Sequence, residues 1–220
     1  MTETTPAGGA GGRNQRVDDA VDALRRTVLA VRDAWEVVLL FVLVAPLSAL
    51  LGSAGGIVGA IGSAVGVYLI GARRPGSVER GRASNSLGVR IFLALLAAFV
   101  AGVVIIVGLL LLVLPGLYLG VRLYLVIPAV MLGDDGPLEA LGSSWDRTGG
   151  HVFTVAGVAA AILAVSLAVF TVVLVGTAGG VDPAIERVLN DEATIPQAAR
   201  TLVSGPLGAA AMAVLYNGLE

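Results

Sequence analysis

PGLYLGVRLYLVIPAVMLGDDGPLEALGSSWDRTGGH, residues 115–151, sets an arginine (Arg122) and a proline (Pro128) inside an apolar run. An acidic turn and a Ser-Ser-Trp-Asp-Arg junction follow. The run reads as a membrane span, and an ionisable group inside a span marks a candidate functional residue. Arg122 stands six residues past Gly116, about 9 Å along a helix axis. From there its side chain can snorkel to the outer surface as an anchor. Alternatively it faces the bundle, where it pairs with an acid or with carbonyls freed by a kink, or contacts a ligand. Asp134 and Asp135 lie about 18 Å away along one helix, so Asp182 and Glu186 are the better-placed acids. Past the turn, Pro137 to Trp145 reads as a short interfacial helix carrying Leu138, Leu141 and Trp145 on one face. Arg147 is then within reach of lipid phosphates. Ser143, Ser144 and His151 do not form a nucleophile constellation, because no base and orienting group surround them.

Working outward, the whole chain has the same character. Of its 220 residues, 56% are hydrophobic and 14% charged, so the bilayer must solvate much of the apolar surface. The net charge of −2 excludes a dominant nucleic-acid role. The absence of cysteine removes disulfides, thiolate metal sites and cysteine nucleophiles together. No motif implies a cofactor. All 14 strongly basic residues are arginine, which with abundant Ala, Gly and Val points to a GC-rich prokaryotic genome.

Residues 1–14 are small and polar and read as a disordered tail rather than a secretory signal. Residues 15–34 read as an amphipathic interfacial helix: Val17, Val21, Leu24, Val28, Val31, Trp35 and Val38 recur at alternating spacings of four and three. A partner-binding helix or coiled coil is the alternative. Residues 35–217 then form an all-α membrane domain of six spans, placed at 35–52, 54–72, 90–114, 117–133, 152–178 and 199–217. Gly52 to Gly56 supplies a turn between the first two spans, and Pro115-Gly116 a tight reversal before the fourth. The sixth is weakest, because Ser204, Gly205 and Pro206 interrupt it.

Arginine placement gives the orientation. Five arginines precede the first span, and five more (Arg73, Arg74, Arg80, Arg82 and Arg90) lie in or at the edges of the loop between spans two and three. Both clusters belong in the cytoplasm by the positive-inside rule, with both termini inside and the acidic 179–198 loop outside a cell membrane. In that loop a short helix is expected from Pro183 to Leu189, with Asp182 as its N-cap. Arg25, Arg26, Arg73, Arg74, Arg80, Arg82, Trp145 and Arg147 are the candidate contacts to membrane lipids.

Gly52, Gly56, Gly59, Ser63 and Gly66 make a continuous small-residue face on span two. Such a face lets helices approach closely, within one chain or between copies in a homo-oligomer; a pore lining is the alternative. Ser204, Gly208 and Ala211 repeat the pattern on span six. Pro46 and Pro128 lie mid-span and free the carbonyls of Val42 and Tyr124, predicting kinks. Broken helices in two halves of opposite topology also occur in transporters.

Pro115-Gly116, Arg122, Pro128-Ala129, Gly136-Pro137, Ala140-Leu141, Ser144-Trp145 and Thr148-Gly149 follow a recognisable order. It resembles that of the membrane domain of some glycerophosphoryl diester phosphodiesterases and of related stand-alone six-span proteins. The resemblance is tightest over about 40 residues. It implies a membrane module, and carries over no catalytic residue; with the chain ending at Glu220, the hydrolase domain is expected to be absent. The expectation is therefore a non-catalytic membrane anchor or scaffold subunit with lipid contact and a membrane-protein partner or its own copies. The alternative is a small transporter or lipid-handling carrier using Arg122 and the Pro46 and Pro128 kinks.

Overall fold

The computed structural model describes residues 19–52, 55–71, 73, 86–133, 135–190 and 193–219. The expected N-terminal tail, Arg74, Arg80, Arg82 and Asp134 lie outside these. The described residues form ten helices and no strand: α1 (Ala20–Asp33), α2 (Trp35–Leu50), α3 (Gly55–Gly71), α4 (Leu87–Leu111), α5 (Val113–Arg122), α6 (Val126–Gly133), α7 (Pro137–Thr148), α8 (Val152–Ala178), α9 (Val181–Leu189) and α10 (Thr194–Gly218). Four stretches are long and apolar enough to cross a membrane: α4, the α5–α6 stretch Val113–Gly133, α8 and α10. The apolar helices α2 and α3 are shorter, at 16 and 17 residues.

Helix α10 sits in the middle, packed against α1, α2, α3 and α8. It feeds two cores. Ala209, Ala210, Ala213 and Tyr216 join Val37, Phe41, Val67 and Met131, while Ala211, Val214 and Leu215 join Ala23, Leu125, Val155 and Val158. The segment read as interrupted is thus one unbroken helix with Pro206 inside it. A Cβ on Gly205 would run into the Phe41 ring, so the supposed interruption is where α2 and α10 come closest. Its mean hydropathy of 1.3, against 3.0 for the flank helix α4, follows from this place. A central helix needs small side chains for close packing, and fewer of its residues need to be lipid-like.

Three other boundaries differ from expectation. Helices α4 and α5 reverse at Leu112, three residues before Pro115. Gly116 lies inside α5, where a Cβ would run into the Leu109 backbone. Pro115 takes the third position of α5, within the first turn where backbone N–H groups have no helical acceptor. Helix α9 starts at Val181 with Gly180 as its N-cap, so Asp182 belongs to the first turn. There its charge still complements the helix dipole.

Helix α1 is capped by Asp19, whose carboxylate accepts from the Asp22 N–H at 2.8 Å. It buries Ala23, Thr27 and the adjoining Ala34 rather than the valine stripe. The buried face is rotated by roughly a quarter turn, because small residues let α1 lie close to α10. Val21, Val28 and Trp35 stay 74%, 58% and 59% exposed, a line of apolar groups along the outside of the bundle.

Candidate functional site

Pro128 shapes the fourth expected span more than a kink would. It has no N–H for the Tyr124 carbonyl and its ring crowds that position. The helix breaks at Leu123–Leu125, separating α5 from α6. The exposed backbone groups are met by Ser144 of α7, which is fully buried. Its hydroxyl donates to the Arg122 carbonyl at 2.7 Å and accepts from the Leu125 N–H at 3.2 Å.

That docking brings Trp145 onto Arg122. The guanidinium donates through Nη1 to the Trp145 carbonyl at 2.9 Å and through Nε to the Tyr118 hydroxyl at 2.8 Å. Its carbon lies 4.6 Å from the Trp145 ring and 5.2 Å from the Tyr118 ring. The two rings meet edge to face at 6.0 Å. No carboxylate pairs with Arg122 among the described residues, so the expected partnership with Asp182 or Glu186 is replaced by carbonyl, hydroxyl and ring contacts. The reason is that α7 packs against the α5–α6 break and delivers its own acceptors there.

Other arginines follow the same rule. Arg73 donates to the Asp33 carbonyl at 2.6 Å and pairs with Glu36. Arg90, 4% exposed, donates to the Met131 carbonyl at 2.9 Å. Arg147 donates to the Tyr216 carbonyl at 3.2 Å and lies 4.1 Å from the Tyr216 ring. Asp33, Met131, Trp145 and Tyr216 each belong to the last turn of a different helix: α1, α6, α7 and α10. The last four carbonyls of a helix have no intrahelical donor and carry the negative end of its dipole. Each arginine therefore caps one helix from another element, tying the two together. Among the sequence candidates, Arg73 and Arg147 are occupied in this way, Arg26 pairs with Asp22 at 2.9 Å, and Arg25 is exposed.

The small-residue face of α3 divides into two parts. At Gly66 a Cβ would stand 2.9 Å from the Ala209 Cβ, and at Gly62, which the spacing did not pick out, 2.9 Å from Val44. Toward the α2–α3 turn the helices part. A Cβ on Gly52, Gly56 or Gly59 meets nothing within 4 Å, and Gly52 has φ +52°, a left-handed turn residue. These glycines and Ser63 line a crevice of about 260 Å³ between α2, α3 and α10. Opposite them stand Gln197, Arg200, Thr201 and Ser204. Gly66 and Ala209 close the space in one direction, so the small face gives a packing seam at one end and a crevice at the other. Pro46 lies within a continuous α2 and contributes nothing to the crevice wall.

Arg200 and Gln197 are the functional candidates that sequence reasoning passed over. The signal was present: Gln197, Arg200, Thr201, Ser204 and Gly208 repeat at three- and four-residue spacing, a polar and small face matching that of α3. Comparison of the chain with protein-family models, curated proteins and solved structures yields no match.

Proposed function

We propose that the chain is a multi-pass, six-span integral membrane protein of a prokaryotic cell membrane, acting as a non-catalytic anchor or scaffold subunit with lipid contact. The observation that carries this reading is the use of four arginines as helix-to-helix caps. Their guanidinium groups are engaged within the bundle, Arg122 included, which supports the scaffold reading over the transport alternative. The order of residues shared with phosphodiesterase membrane domains is in keeping with a module of this kind.

In this reading α2 and α3 cross as the first two spans. They are about 24 Å and 26 Å long, short for a core of about 30 Å, so the bilayer thins or their ends snorkel. Arg73, Arg90 and Arg147 cluster where α3, α6 and α10 end, and that end faces the cytoplasm with both termini. The exposed Val21 and Val28 of α1 and Trp35 at the start of α2 lie in the inner interface, beside the exposed Arg25 and Arg32. Native mass spectrometry from a mild detergent tests the role. A complex with a partner or with further copies, carrying bound lipid, is expected; a lipid-free monomer alone would contradict it.

A further inference from the structure

The two ends of the bundle are electrically opposite in construction. At one end, helix C-termini are capped by arginines. At the other, the crevice is bordered by the first turns of α3 (Gly55, Gly56) and α10 (Gln197). First-turn N–H groups have no helical acceptor and carry the positive end of the dipole. Arg200 adds a full charge at the same place. Unlike the four capping arginines, its guanidinium makes no hydrogen bond or ion pair among the described residues; its recorded bond is through its backbone carbonyl. The Gln197 carboxamide is equally unengaged, and no carboxylate stands among the described lining residues.

The crevice hydroxyls do not supply the missing partner. Thr201 donates to the Gln197 carbonyl at 3.0 Å, Ser204 to the Arg200 carbonyl at 2.8 Å, and Ser48 to the Ala45 carbonyl at 2.9 Å. The Ser63 hydroxyl makes no hydrogen bond among the described residues, so the free donors are the guanidinium fork, the amide and this hydroxyl, which together suit a planar or tetrahedral oxyanion. The glycine floor leaves room for one. Near crevice residues in sequence, Leu50, Ile57 and Ile195 are exposed at 76%, 61% and 64%.

We propose that this crevice binds a phosphate-type oxyanion, held by Arg200 and Gln197 against the small-residue floor of α3. The site rests on the membrane reading above only for its source: a phospholipid headgroup from the bilayer, or a soluble phosphate from the aqueous side.

The test uses the full chain in nanodiscs of phosphatidylcholine with and without phosphatidylglycerol, and separately in detergent with inorganic phosphate alone. Bound ligand is read by native mass spectrometry. Arg200→Gln should weaken retention by roughly tenfold or more, since a charge-assisted bond is lost. Gly59→Leu fills the crevice from the other wall without touching a donor, in a position where a Cβ meets open space. It should abolish retention while the protein melts no lower than wild type. Retention of phosphatidylglycerol but not free phosphate assigns the headgroup; retention of phosphate in detergent assigns the soluble anion. Either ligand retained undiminished in both variants, or no ligand retained by wild type, overturns the site. Carbonate extraction of the same samples reads membrane integration independently, so a failed site and a failed membrane reading give different results.

Discussion

Ser144→Ala is the most incisive test of how the broken span is held. The hydroxyl serves two backbone groups, the Leu125 N–H at 3.2 Å and the Arg122 carbonyl at 2.7 Å. Ser144 and Leu125 are both fully buried, which leaves no route for water to the freed N–H. A buried donor left unmet costs about 1–3 kcal/mol. The Arg122 carbonyl loses less, because Thr148 Oγ1 stands 3.3 Å away. Thr148 has one proton, however, and its nearest acceptor is the Ser144 carbonyl at 2.8 Å, so compensation is weak. The net cost is about 2–3 kcal/mol, which lowers the melting midpoint by roughly 4–12 °C for a chain of this size. Thermal unfolding in detergent, followed by circular dichroism, measures it. Ser143→Ala, one residue away with no recorded side-chain bond, is the control. Equal melting of Ser144→Ala and Ser143→Ala would refute the bridging role.

Arg122→Leu removes two hydrogen bonds and two ring contacts at a partly exposed position, for about 1–3 kcal/mol; it should lower the midpoint yet leave oxyanion retention at Arg200 unchanged, by the assays above. Gly205→Ala and Gly208→Ala should differ in sign. The first Cβ runs into the buried Phe41 ring, for about 1–3 kcal/mol of destabilisation, while the second meets nothing and gains up to about 1 kcal/mol of helix propensity; the same melts decide. Glu36→Gln breaks an exposed ion pair with Arg73 and should leave the melting midpoint almost unchanged, because Arg73 keeps the Asp33 carbonyl.

Hydropathy made the flank helices legible, because α4 and α8 turn long side chains outward to lipid-like surroundings and read as uninterrupted apolar runs. It ranked α10 last for the same physical reason, since a helix packed on all sides trades large apolar residues for Ala, Gly and Ser. The Pro128 perturbation was visible, but its outcome depended on Ser144, 19 residues from Leu125 and beyond any helical spacing. Arg122 stood out in the sequence as a charge in an apolar run. Its partners could not be read, because backbone carbonyls at the ends of other helices leave no mark in a sequence. The crevice was half visible: the glycine face of α3 is a clear repeat, whereas Arg200 looked like an ordinary residue at the start of a span.

The account's central claim is a six-span bundle with its arginine-capped end in the cytoplasm, and the cysteine-free chain allows it to be tested directly. Single cysteines at the exposed positions Leu51, Ser86 and Asn190 would be labelled in intact cells with a membrane-impermeant maleimide. The account predicts labelling at 51 and 190 from outside, and at 86 only after permeabilisation. Labelling of 51 and 86 from the same side would contradict it.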